Sequence, residues 1–242
     1  MSERARAFEP RGLTTASVDG VGDETTDWDS ALPPWAGTAR WRVARLAKRL
    51  LDVVLALLGL VVLSPLLVVV ATLIKLDSPG PVLHRMAWVG LRGRRFGGYK
   101  LRTMIRDAER HRERLEQFNE MTGPAFKMSN DPRVTRFGRF LRGTSIDELP
   151  QLWSVLRGDM SLVGPRPPQP HEYAQFEPYQ RLRLAVTPGL TCLWQVCGRS
   201  TIRDFAEWVR LDLEYIRTWS LWLDFKILMR TIPVVLTGRG AS

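Results

Sequence analysis

From Val53 to Ile74 the chain runs for 22 residues without a charged side chain, and no other feature restricts its fold as strongly. As a straight helix this run would reach roughly 33 Å, enough to cross the hydrocarbon core of a bilayer. Arg40, Arg42, Arg45, Lys48 and Arg49 form a basic collar before it, and Lys75, Arg85, Arg92, Arg94 and Arg95 follow. Basic flanks at both ends mark both as cytoplasmic. Ser64-Pro65 stands at the middle. Pro65 cannot donate to the Val61 carbonyl and its ring crowds that position, so the helix should kink, with the Ser64 hydroxyl available to a freed backbone group. Two readings meet these signals: an ordinary transmembrane helix with a tolerated proline, and a re-entrant hairpin that enters and leaves by one face.

The run divides the chain into three parts. Residues 1–39 hold few large apolar side chains and end near Pro33-Pro34, so they are expected to be a mostly disordered tail without a secretion signal. Residues 40–78 are the collar and membrane helix, and residues 79–238 a single catalytic-size domain. In that domain, stretches 82–88 and 96–103 read as a β-hairpin around a Gly-Arg loop. Asp107 to Met121 reads as an exposed amphipathic helix, and further helices are expected at 134–142, 147–157, 172–185, 204–218 and 222–236. The expected fold class is α+β, mainly helical, with little sheet. Trp208, Trp219 and Trp222 on the last two helices suit either a membrane interface or a buried face.

Lys and Arg outnumber Asp and Glu by 35 to 25, a net charge of +10 that favours anionic partners. Cys192 and Cys197 have no metal-ligand spacing, and His84, His111 and His171 are scattered. With no Walker loop and no dinucleotide-binding glycine pattern, disulfide scaffolds, structural zinc and several enzyme classes drop out.

The segment Arg142 to Leu152, RGTSIDELPQL, sets two acids side by side after Ser145. Ser145 with Glu148 three residues on is a capping box, a purely structural role. Alternatively one carboxylate attacks phosphorus while the other holds a divalent cation. Neighbours on a helix point about 100° apart, which favours separate roles over an acid and base pair. Arg142 lies just upstream, and Pro165-Arg166-Pro167 fixes another guanidinium downstream, a group suited to gripping phosphate. Lys100 and Arg102, two apart on a strand, should project from one face and hold a diphosphate together.

Five ordered motifs then carry a resemblance: Tyr99 to Met104 (YKLRTM), Asn130 to Thr135 (NDPRVT), Ser145 to Leu152 (SIDELPQL), Gly158 to Pro167 (GDMSLVGPRP) and Pro188 to Arg199 (PGLTCLWQVCGR). Together with the collar and the central Ser-Pro, they resemble the bacterial sugar transferases, the monotopic phosphoglycosyl transferases, over residues 48–238. The resemblance implies a membrane helix made re-entrant at Ser64-Pro65, on the cytoplasmic face of the inner membrane. It implies Asp147 as nucleophile, Glu148 as its partner near Mg²⁺ with both acids at the metal, Lys100, Arg142, Arg166 and Arg199 around the phosphates, and Asp212 as a further acid of the site. The implied reaction moves a sugar-1-phosphate from a UDP-sugar to polyprenyl (undecaprenyl) phosphate, releases UMP, and passes through an aspartyl-phosphosugar intermediate. Cys192, Cys197 and Ile146 depart from the pattern without removing a charge, and the segment before Trp35 places the chain among the short forms. A membrane-tethered nucleic-acid binder or a noncatalytic scaffold would share the charge and the tryptophans, but both leave the Asp-Glu and Pro-Arg-Pro segments without a role.

Overall fold

The computed structural model describes residues 26–198 and 202–237. The apolar run lies in α1, Ala39–Asp77, opened by a Thr38 cap whose hydroxyl accepts from the Trp41 N–H at 3.2 Å. Pro65 sits inside this helix, and the Ser64 hydroxyl donates to the Val61 carbonyl at 2.7 Å, the acceptor that proline leaves without a donor. Among the described residues α1 is the one helix long and apolar enough to cross a membrane. Its central Val61, Val62, Val68 and Val69 are exposed, whereas Ala56, Val70 and Ile74 are buried against the rest of the chain.

β1, Leu83–Val89, and β2, Arg95–Leu101, form the expected antiparallel hairpin, with His84 opposite Lys100. The amphipathic stretch after it is broken into short pieces, of which α2, Arg112–Leu115, is one. α3, Arg136–Thr144, is capped by Thr135, whose hydroxyl accepts from Gly138 N–H at 2.9 Å. The helix expected at 147–157 is two elements: a 3-10 turn, Ile146–Gln151, containing Pro150, and α4, Leu152–Arg157. The helix expected at 172–185 is likewise split into α5, Pro170–Tyr173, and α6, Pro178–Arg181. Pro178 lacks the N–H that would carry a helix through this segment and begins α6 instead.

β3, Ser161–Val163, pairs in parallel with β4, Gly189–Thr191, through Ser161 opposite Gly189 and Val163 opposite Thr191. Two of the sequence motifs therefore meet side by side. α7, Leu193–Cys197, α8, Phe205–Arg217, and α9, Leu221–Thr237, complete the domain. Trp208 stacks on Trp194 at 4.0 Å between ring centres, and Trp219 stacks on Trp35 at 5.6 Å, so both belong to the core while Trp222 is exposed.

Within the stretch expected to be disordered, Trp28–Ala31 forms a 3-10 turn with Ala31 fully buried. Trp35 meets Trp41 edge-on at 5.0 Å, so a few apolar anchors suffice to dock this segment. Residues 1–25 lie outside the described residues.

α3 packs so closely on the segment after β2 that a methyl group at Gly138 would overlap the Thr103 carbonyl, which is itself fixed by the Thr135 N–H at 3.0 Å. Gly138→Ala is expected to destabilise the protein by about 1–3 kcal/mol or more, read as a lower Tm in detergent, because backbone rather than a mobile side chain must yield.

Candidate active site

The dyad is placed by a reversal at the end of α3. Ser145 takes a left-handed conformation (φ 56°), and its N–H bonds back to the Arg142 carbonyl at 3.2 Å. No side-chain cap from Ser145 closes the following turn, so the capping box is not formed there. The 3-10 turn then carries Asp147 and Glu148 beneath β2. Lys100 Nζ pairs with Glu148 Oε1 at 2.6 Å, and Arg166 Nη1 reaches the same oxygen at 3.4 Å.

Asp147 is 7% exposed. Burial pushes its carboxyl up to about 6; Lys100 opposes the rise, Glu148 adds to it, and Arg142 and Arg166 oppose it. No hydrogen bond among the described residues enters that balance. Arg142 leaves α3 beside it, its Nε donating to Thr103 Oγ1 at 3.0 Å, with burial holding its own proton affinity below the usual value against the opposing charges of Asp147 and Asp131. Arg142 also lines an open cleft of ≈ 250 Å³ with Asn130, Asp131 and Arg139. Arg142 is the site residue shared with this cleft; neither acid of the dyad lines it.

Two ion pairs support these groups. Asp131 and Arg133 form a buried bidentate pair (2.9 and 2.7 Å), while Met104 bridges to Val134, which ties the NDPRVT segment to the end of β2. Arg183 pairs with Asp212 at 2.5 Å and donates to the Arg166 carbonyl at 3.3 Å. Asp212 is fully buried, and burial outweighs Arg183 in raising its carboxyl to about 6.

A family model for bacterial sugar transferases matches residues 43–238. The chain belongs to that family. Over 197 residues it is 47% identical to the galactosyl transferase CpsE of Streptococcus agalactiae, an overlap of 81% of this chain and 44% of that protein. It is 47% identical over 205 residues to the UDP-glucose:undecaprenyl-phosphate glucose-1-phosphate transferase of Caulobacter vibrioides, covering 81% of this chain and 72% of the relative. Against the exopolysaccharide production protein ExoY of Rhizobium meliloti it is 38% identical over 217 residues, 87% of this chain and 94% of the relative. The chain therefore spans less than half of the streptococcal protein and nearly all of the rhizobial one.

In this bacterial sugar transferase, the expected site residues Asp147, Glu148, Lys100, Arg142 and Arg166 come together. Arg102 does not join them. It lies one residue past β2, and its guanidinium holds the carbonyls of Ile74, Ser78 and Pro81 at the end of α1. Asp212 stands behind the Arg166 backbone, joined to it through Arg183. Arg199 lies outside the described residues. Arg183 is the supporting residue that sequence reasoning missed; its one signal is a charge inside the apolar run Leu182 to Val186.

Because the Asp147 carboxyl binds its proton more tightly folded than unfolded, its ionisation costs stability as pH rises from its ordinary 3.8 through about 6. Asp147→Asn is therefore expected to be more stable than wild type above pH 6, by roughly 2–3 kcal/mol, with the gain vanishing near pH 4. Denaturation followed across this pH window is the check.

Proposed function

We propose that this chain transfers a sugar-1-phosphate from a UDP-sugar to undecaprenyl phosphate, releasing UMP, and so begins assembly of a polysaccharide. What carries the reading is the unequal surroundings of the dyad: Glu148 is held by Lys100 and Arg166, while Asp147 faces cations and, among the described residues, no hydrogen bond enters the balance of its carboxyl. Family membership and the names of the relatives support the substrates.

In the proposed reaction an oxygen of ionised Asp147 attacks the β-phosphorus of the donor. The bond to the bridging oxygen breaks, and UMP leaves with its electron pair. An oxygen of the lipid phosphate then attacks the aspartyl-bound phosphorus, the phosphorus–aspartate bond breaks, and the carboxylate is restored. Arg142 and Arg166 would hold the phosphoryl oxygens from two sides, and the Lys100 ion pair holds Glu148 in place. Asp147 and Glu148 fit Mg²⁺, which uses one or two carboxylates together with substrate phosphates. Among the described residues no three His, Cys, Asp or Glu side chains converge, so the remaining ligands would come from substrate and water. Bound there, the ion supplies neutralisation of phosphate charge.

The re-entrant form of α1 belongs to this proposal, and its two docking points support it. Lys48 and Asp52 near its start bond to β3, while the Ile74 carbonyl near its end is held by Arg102. In a straight helix these points would lie roughly 39 Å apart, on opposite sides of a bilayer core. One polar domain grips both, which supports a form with both ends at one face, taken as the cytoplasmic face of the inner membrane. Exposed Trp222, Phe225, Met229 and Ile232 along α9 give an apolar strip suited to the interface.

Incubation of the purified protein with Mg²⁺ and a panel of UDP-sugars, without lipid, is expected to give a phosphosugar adduct by intact mass on wild type and none on Asp147→Asn. An absent adduct with UMP still released on adding undecaprenyl phosphate would remove Asp147 from the nucleophile's role. Single cysteines at the two ends of α1, in a background lacking Cys192 and Cys197, are expected to label from the same side of sealed vesicles; labelling from opposite sides means a full span.

A further inference from the structure

Three side chains near the start of α1 turn into the protein instead of toward solvent or lipid. Asp52, 6% exposed, accepts from the Leu162 N–H at 2.9 Å. Lys48 Nζ donates to the Val163 carbonyl at 3.0 Å and pairs with Asp224 at 2.6 Å. One turn of helix therefore satisfies a donor and an acceptor on successive residues of β3, as a neighbouring strand would. Arg49 donates to the Val155 and Leu156 carbonyls at 2.5 and 2.7 Å, at the C-terminal end of α4, where the helix dipole favours a cation. Asp224 is fixed in turn by the Tyr215 hydroxyl at 2.7 Å and the Trp219 indole N–H at 3.1 Å.

The gripped elements lead to opposite sides of the site. α4 follows the dyad turn directly, and β3 runs into Gly164-Pro165-Arg166. The Arg166 side chain is 39% exposed and its contact with Glu148 is long, 3.4 Å. Its backbone is held by Arg183 at the carbonyl and, on the preceding side, by the β3–β4 pairing that continues through Gly164 and Pro165.

We propose that Lys48, Arg49 and Asp52 are positioning residues that set the separation between Arg166 and the Asp147–Glu148 pair, so that docking of the membrane helix governs turnover of the donor. The inference rests on the reaction proposed above.

The test is a double-mutant cycle in the purified full-length protein with UDP-sugar and undecaprenyl phosphate. Asp52→Ala is expected to lower kcat roughly 10- to 100-fold. Asp52→Asn keeps an oxygen for the Leu162 N–H and is expected to stay within about threefold of wild type. Combined with Arg166→Ala, Asp52→Ala should add little to the loss caused by Arg166→Ala alone. Losses that multiply would show Asp52 acting independently of Arg166 and overturn the proposal. Hydrogen exchange reports on the clamp without turnover: Asp52→Ala should speed exchange at the Leu162 and Val163 amides and through residues 164–166. Unchanged exchange there overturns the clamp. A wild type that releases no UMP from any UDP-sugar would instead sink the reaction reading, and the exchange result would still decide whether the clamp exists.

Discussion

Burying two neighbouring carboxylates is the constraint on which the rest of this structure depends. Each loses hydration, and they repel one another, so the turn from Ile146 to Gln151 is tenable only inside a shell of cations. Glu148 is compensated at short range by Lys100 and at longer range by Arg166. Asp147 is compensated only in part, which is why its carboxyl keeps its proton to about pH 6. A group in that condition is an ionisable oxygen whose balance, among the described residues, includes no hydrogen bond. The cost of keeping it so is met by the groups that hold its neighbours: the Thr103 hydroxyl on Arg142, the Arg183 guanidinium on the Arg166 carbonyl, and the bidentate Asp131–Arg133 pair under the cleft wall.

The long apolar helix α1 takes part in the same scheme. Its start is bonded to β3 and α4, and its last turns pack Val70 and Ile74 against Leu101 and Leu141, with Arg102 stapled across the final carbonyls. Leu101 follows Lys100, and Leu141 precedes Arg142, so the apolar contacts that seat the helix end lie one residue from two of the site's cations. Seating of the apolar helix and placement of the site thus share one set of contacts.

Much of this was legible in the sequence because the signals were local. The apolar run, the β-hairpin, and the limits of α8 and α9 follow from composition and period over a few residues, whereas α1 runs as one helix through the expected break at Ser64-Pro65. The meeting of Lys100, Arg142, Asp147, Glu148 and Arg166 was legible only through the order of the motifs. What the sequence hid is long-range. Arg102 shares Lys100's spacing yet serves the end of α1, since the strand stops at Leu101 and the two side chains no longer obey strand alternation. Lys48 and Arg49 read as topology signals in a basic collar but are turned inward by carbonyls more than a hundred residues away. The parallel pairing of β3 with β4 joins segments three residues long, too short to leave a periodic trace.

The shape of the dyad turn then explains how adjacent acids escape a shared fate. At the start of an α-helix, Ser145 would cap the helix and draw Glu148 back toward its own backbone. Ser145 instead closes α3 in a left-handed conformation, and Pro150 lies in the tighter 3-10 turn that follows. Neighbours on such a turn are separated by about 120° rather than 100°. That rotation sends Glu148 toward Lys100 and leaves Asp147 in the low-dielectric space between Arg142 and Arg166. Two chemically similar carboxyls thereby acquire different electrostatic surroundings, one fixed in an ion pair and one left with its proton affinity raised, the division that a nucleophile and its supporting acid require.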